Sequence, residues 1–299
     1  MQKIRTVLGD IDTAAMGLTL PHEHIMVGFD PKGVTSDQYN HDDVSKKMLP
    51  HLKALYDTGV RTLVECTPVT LGRDMILWQR LSRESGLHIV APTGAYKEPH
   101  VPPYALTETP QQMSARWIDE ARNGVDGVLP GFIKIAMEGE KRTQIERNIF
   151  DAALLTSNEC GLAIVCHCTK PQGMLEAMER MAEVKFDTER FIWAHADTVC
   201  LSEPGGEDAV KLAKDRGLWI EFDMIGMQPY DKHISLLNRF WSPDARLLIS
   251  QDSGWYMVGD PDYEVRTYST IITDFVPLLP NEMSTPLTLH NPAKAFRIR

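Results

Sequence analysis

Short apolar runs alternate with longer amphipathic segments along all 299 residues, and this alternation narrows the possible folds more than any other feature. Runs rich in β-branched and apolar residues at 17–22, 60–66, 88–93, 131–136, 162–167, 191–195, 218–223 and 246–252 read as eight strands. Between them, 45–58, 74–85, 109–123, 143–159, 172–183, 207–216 and 231–240 carry apolar residues at helical spacing, such as Met48, Leu52 and Leu55 in the first. Five of these segments run into Gly59, Gly86, Gly124, Gly161 and Gly217, at the position where a helix ends in left-handed backbone. Helix, glycine, apolar strand is the punctuation of βα units. Eight strands so connected predict an α/β fold, a single closed (β/α)8 TIM barrel over residues 1–299, with a short hairpin over 4–11 in front. A doubly wound open sheet would be expected to carry a glycine-rich phosphate turn after an early strand, and no G-x-G-x-x-G occurs.

Charge and cysteine usage limit the partners. The net charge of -10 argues against a nucleic-acid groove or an anionic membrane surface. No apolar stretch approaches the length of a membrane span, and the first ten residues lack the apolar core of a secretory signal. Five cysteines without a framework spacing suggest free thiols, hence a cytoplasmic, soluble protein acting on a small molecule.

In a closed barrel of this type the chemistry lies at the carboxyl ends of the strands. The first strand runs into His22-Glu-His24. Residues i and i+2 of a strand share a face, so the two imidazoles point together and Glu23 points away. Strand 4 carries Lys134, strand 5 ends in His167, strand 6 in His195-Ala-Asp197, and strand 8 in Asp252. Imidazoles with a carboxylate at one rim suit a divalent metal. Cys166 and Cys168 flank His167 and so face the other way, toward the helices, as buried core thiols.

Taken together, Gly17-Leu-Thr-Leu-Pro-His22-Glu-His24, Leu63-Val-Glu-Cys-Thr67 through Gly72-Arg-Asp74, Pro92-Thr-Gly-Ala-Tyr96, Ile133-Lys134, His167, His195-Ala-Asp197, Asp252 and the closing Asn291-Pro292 with Phe296 resemble the phosphotriesterase family of the amidohydrolase superfamily. The resemblance covers essentially the whole chain. It implies a binuclear metal hydrolase on a (β/α)8 barrel. His22, His24 and Asp252 would hold the more buried metal, and His167 and His195 the other. Lys134, carboxylated by CO2, would bridge the two, together with a hydroxide. An ammonium cannot sit between two dications, whereas a carbamate offers an anionic oxygen to each. Asp252 would take the proton of the hydroxide and pass it to the leaving group. Asp197, and Asp223 at the end of strand 7, would assist proton transfer from outside the ligand shell. Tyr96 would position a lactone. Zinc is the expected metal, with Mn, Co or Fe suited to the same ligands, and a homodimer is the expected assembly.

The substrate branch is less marked. A short loop after Asp223 and the Thr-Gly-Ala-Tyr96 motif favour, by family analogy, a lactonase acting on an acyl-homoserine or sugar lactone, phosphorylated or not. A phosphotriesterase is the alternative. Trp255 in the loop after Asp252 is a candidate either to line an apolar pocket or to pack the loop onto the barrel. Lys232 and Arg266 are candidates to clamp a substrate anion or to be ordinary surface charges. A Schiff-base lyase using Lys134 and a non-catalytic metal-binding protein are the rival classes.

Overall fold

The structure, a computed structural model, describes residues 2–138 and 142–299. An antiparallel hairpin of β1 (Lys3–Thr6) and β2 (Gly9–Asp12) opens the chain. Then follow β3 (Leu18–Val27), α1 (His41–Asp57), β4 (Val60–Glu65), α2 (Met75–Ser85), β5 (His88–Val90), β6 (Pro92–Gly94), α3 (Pro110–Asn123), β7 (Phe132–Ala136), α4 (Gln144–Cys160), β8 (Ala163–His167) and α5 (Pro171–Glu183). The second half holds β9 (Phe191–Ala194), α6 (Ala196–Ser202), α7 (Gly206–Asp215), β10 (Trp219–Phe222), α8 (Tyr230–Phe240), β11 (Leu247–Ile249) and β12 (Gly254–Met257). Among the described residues no helix is long and apolar enough to cross a membrane.

The strands after the hairpin are parallel and form two ladders, β11-β10-β9-β8-β7-β6 and β12-β3-β4-β5. β5 and β6 are one barrel strand broken at Ala91. Pro92 has no N–H to give to a ladder, so the lower half pairs with β4 and the upper half with β7. At the opposite seam single hydrogen bonds bridge the ladders: His22 N to Ser250 Oγ (3.0 Å), Asp252 N to His22 O (3.2 Å) and His24 N to Ser253 O (2.9 Å). The fold is the TIM-barrel type expected.

Apolar residues fall into two layers by strand parity. Ile133, Ile135, Ile164, Cys166, Trp193, Ile220 and Leu247 pack outward in the layer shared with the helices. Phe132, Val165, Ile192, Trp219 and Leu248 fill the barrel interior, capped from below by Ile4 of the hairpin and by Phe296. Cys166 and Cys168 are buried free thiols, as expected, and burial raises both, Cys168 to about 12. The first four helices begin at side-chain caps. Thr109 with Gln112 and Thr143 with Glu146 form reciprocal capping boxes, and Asn40 starts α1 four residues before the predicted 45.

Besides the third strand, broken at Ala91, two more depart from the prediction. The first continues through Val27 instead of stopping at 22, because Gly254–Met257, read as loop, adds to its upper half as β12. Between Leu20 and Glu23 it also bulges, with three residues of β3 spanning two of β4, at Pro21. The eighth strand is regular only to Ile249; beyond it Ser250 still donates its N–H to Phe222 O of β10 while its hydroxyl accepts from His22 N of β3.

Candidate metal centre

The same parity that builds the interior core delivers the polar residues to its upper end. Lys134 is in phase with Phe132, His167 with Val165, and Glu221 and Asp223 with Trp219, so all face the barrel axis. His195 would have the outward phase. Its backbone turns to φ 64 at the start of α6, which brings the ring back over the barrel mouth. Asp252 is also left-handed, at φ 51.

The result is one buried cluster. His22 Nε2 lies 3.0 Å from Lys134 Nζ, and His24 Nε2 lies 3.0 Å from Asp252 Oδ1. The His22 ring is 5.0 Å from the His195 ring, which is 4.5 Å from that of His167. His22, His24 and Asp252 bring one ligand atom each within 4.8 Å of one another, and so do His22, His195 and Asp223. Thus the expected trio His22, His24 and Asp252 is assembled, and His167, His195 and Lys134 stand beside it.

An outer layer orients these rings. His22 Nδ1 is 2.9 Å from both Glu221 Oε2 and Asp223 Oδ2, and His195 Nδ1 is 2.8 Å from Asp223 Oδ1. His24 Nδ1 meets Thr67 Oγ1 at 2.7 Å, and that hydroxyl donates to Glu65 at 2.6 Å. Glu23 does point away from the cavity, and it serves as an anchor. Its carboxylate accepts from Ser250 Oγ (2.8 Å), Gln251 N (3.1 Å) and Ser253 N (2.6 Å), fixing the turn that presents Asp252.

Electrostatics favour neutral rings at His22 and His167, whereas at His195 burial is outweighed by the Asp223 carboxylate, which raises it. Burial, helped by the charge of Lys134, pushes His22 down to about 3, and burial with His195 alongside does the same to His167. Burial opposes ionisation of Asp223, but His195 and His22 hold it well below the usual carboxylate range; burial and the Asp223 charge drive Glu221 well above it. Burial would raise Asp252 too, yet contact with His24 and the nearby rings of His22 and His195 lower it. Lys134 is only 2% exposed, and among the described contacts its Nζ meets His22 and no carboxylate directly.

Above this floor opens a narrow cavity of about 80 Å³, walled by Val27, Phe29, Leu71, Tyr96 and Trp255. Trp255 packs edge-on against His24, 5.5 Å between ring centres, and so lines the cavity. The Tyr96 hydroxyl lies 3.2 Å from His167 Nδ1.

Three expected residues are not in that cavity. Asp197 is wholly buried, but its carboxylate accepts from His233 Nε2 (3.0 Å), Met224 N (2.8 Å) and Thr198 N (3.0 Å). Asp223, not Asp197, contacts the His195 ring. Lys232 is exposed on α8, bonded to Gln228 Oε1 at 3.2 Å, in a separate depression with Leu201 and Met227. Arg266 bonds back to the Asp252 carbonyl at 3.3 Å while its backbone pairs with Gly254. The sequence reading overlooked Glu221, Thr67, Glu138 and Lys97. Glu221 had a signal, an acid in an apolar strand in phase with Asp223.

A parallel barrel with a buried histidine, lysine and carboxylate cluster at its carboxyl rim defines the class of barrel hydrolases. A model of the Phosphotriesterase family matches residues 2–291. The chain belongs to that family of binuclear metal hydrolases, enzymes that cleave ester bonds. It is 27% identical over 273 residues to the phosphotriesterase homology protein of Escherichia coli, covering 88% of this chain and 90% of the relative. It is 25% identical over 311 residues to an aryldialkylphosphatase of Saccharolobus solfataricus, covering 96% of each. A solved variant of an organophosphorus hydrolase from Deinococcus radiodurans superposes with a TM-score of 0.86 at 25% identity, over 98% of this chain and 97% of that one.

Proposed function

We propose that this protein is a lactonase. It opens a small cyclic ester at a centre of two divalent metal ions held by His22, His24, Asp252, His167 and His195, with Lys134 between them as its carbamate. The donor set supports this. Each imidazole has one ring nitrogen held by an outer partner, which leaves the other to serve as a ligand, and burial keeps His22 and His167 neutral. A buried ammonium without a direct carboxylate partner is costly. As a carbamate, Lys134 becomes an anion that two cations would balance. Zinc is the expected ion, with Mn, Co and Fe served by the same ligands.

When bound, such ions supply a water ionised near neutral pH and a Lewis acid for the carbonyl oxygen. The chain's residues do the rest. Asp252, held by the Glu23-anchored turn, accepts the proton of the attacking water and returns it to the ring oxygen that leaves. Tyr96, with its hydroxyl at the His167 ring, orients the lactone. Phe29, Leu71 and Trp255 enclose the apolar remainder of the substrate.

The Tyr96 hydroxyl at the His167 ring, in a narrow cavity of about 80 Å³, is the observation that carries the lactone reading. A triester must place three substituents around phosphorus and calls for more room. The second reading, a phosphotriesterase, is favoured by the aryldialkylphosphatase relative. Buried free thiols fit a cytoplasmic enzyme acting on a small molecule. The experiment is hydrolysis of acyl-homoserine, plain sugar and phosphorylated sugar lactones by the zinc-loaded protein, followed by proton release, beside a phosphotriester. Lactone turnover exceeding triester turnover is expected. Efficient triester turnover without lactone turnover would reverse the assignment.

A further inference from the structure

Three of the four histidines in the centre are held from outside through Nδ1: His22 by Glu221 and Asp223, His24 by Thr67, His195 by Asp223. His167 is held the other way round. Its Nε2 lies 2.5 Å from Glu138 Oε2 and 3.4 Å from Lys97 Nζ, and the Tyr96 hydroxyl lies 3.2 Å from Nδ1 and 3.4 Å from Nε2. Glu138 is itself fixed on both oxygens. Lys97 Nζ donates to Oε2 at 3.0 Å, and Thr169 Oγ1 donates to Oε1. The carboxylate is 18% exposed, two residues past the end of the strand that supplies Lys134.

A carboxylate anchored against one ring nitrogen places the proton there and leaves the lone pair on the other. We propose that Glu138 is the positioning residue of His167: it fixes the Nε2–H tautomer, so that His167 offers Nδ1 to the outer metal, and Lys97 restrains Glu138 from becoming a ligand itself. This rests on the metal centre proposed above. It also gives Lys97 a purpose. A free carboxylate so near a dication would swing onto it, whereas one already paired with an ammonium and a hydroxyl stays outside the ligand shell. Sequence reading had no basis for choosing Glu138, since it lies two residues beyond the end of β7.

The test has two readouts that do not depend on turnover. In zinc-loaded protein with 15N-labelled histidine, long-range 1H–15N correlation should show His167 protonated on Nε2 and His22, His24 and His195 protonated on Nδ1. In zinc titrations against a chromophoric competitor, Glu138→Ala should weaken one of the two sites by roughly 10–100-fold and leave the other within about 2-fold. Glu138→Gln keeps the volume and an acceptor oxygen, so it should show a smaller loss at the same site, and it serves if the alanine variant does not fold. His167 protonated on Nδ1, or both variants binding two zinc ions with unchanged affinity, would overturn the proposal while leaving the metal centre standing. Wild-type protein that binds no zinc would remove the proposal together with the reading it rests on.

Discussion

Gly254 sits where the eighth strand's extension meets the first, and replacing it by alanine should damage the seam that carries Asp252. Its φ is 95°, and an added Cβ would fall on the His24 carbonyl oxygen and the Tyr268 hydroxyl, both closer than any normal contact. Neither neighbour can retreat cheaply. The Tyr268 hydroxyl donates to that same carbonyl at 2.7 Å, and Gly254 exchanges backbone hydrogen bonds of 3.0 and 3.1 Å with Arg266. Left-handed backbone costs a residue with a Cβ about 1–2 kcal/mol. Overpacking against fixed atoms adds about 1–3 kcal/mol, for a sum of about 2–5 kcal/mol. Gly59 is the control. It has φ 99° but nothing within 4 Å of its added Cβ, so Gly59→Ala should cost only the backbone share. The two variants, compared by thermal and urea unfolding at equal zinc loading, should differ by about 1–3 kcal/mol. At this length that corresponds to roughly 2–5 °C in Tm. Gly254→Ala no less stable than Gly59→Ala would refute the account of the seam.

Glu23→Ala removes the acceptor for Ser250 Oγ, Gln251 N and Ser253 N. Leaving these buried donors unpaired should cost about 3–6 kcal/mol in urea unfolding and lower turnover by releasing Asp252. Tyr96→Phe should lower kcat/KM for lactones by about 10-fold, taken as one hydrogen bond of about 1.4 kcal/mol, with metal content by elemental analysis unchanged. Stripping the metals with a chelator should lower Tm, and restoring zinc at a hundred times its Kd should return about 2.7 kcal/mol per site; an unchanged Tm would speak against a folded-state metal centre.

The convergence of the candidate ligands was legible because strand parity and strand ends are local properties of the sequence. His22, Lys134 and His167 needed only the alternation of apolar residues around them. The barrel was legible for the same reason, with a glycine after five of the helices marking the return to the sheet. What stayed hidden depends on contacts between distant segments. Pro21 introduces a bulge whose register shows only against β4. Gly254–Met257 is a strand only because the upper half of β3 lacks another partner, and nothing in its sequence states that. Asp197 is two residues from His195 in sequence, yet the left-handed turn at His195 and the start of α6 carry it to His233, while Asp223 arrives from the next strand. Lys232 and Arg266 were placed by loop membership alone. The cation beside the centre is Lys97, whose loop follows β6.

The central claim is that two metal ions in this cluster perform ester hydrolysis. The most direct test adds zinc stepwise to metal-free protein in bicarbonate buffer and measures bound metal and initial rate of lactone hydrolysis on the same samples. The account predicts saturation at two zinc ions per chain, full activity only with the second, and neither full binding nor turnover in His22→Asn. Full activity in the metal-free protein, or wild-type turnover by His22→Asn, would contradict it.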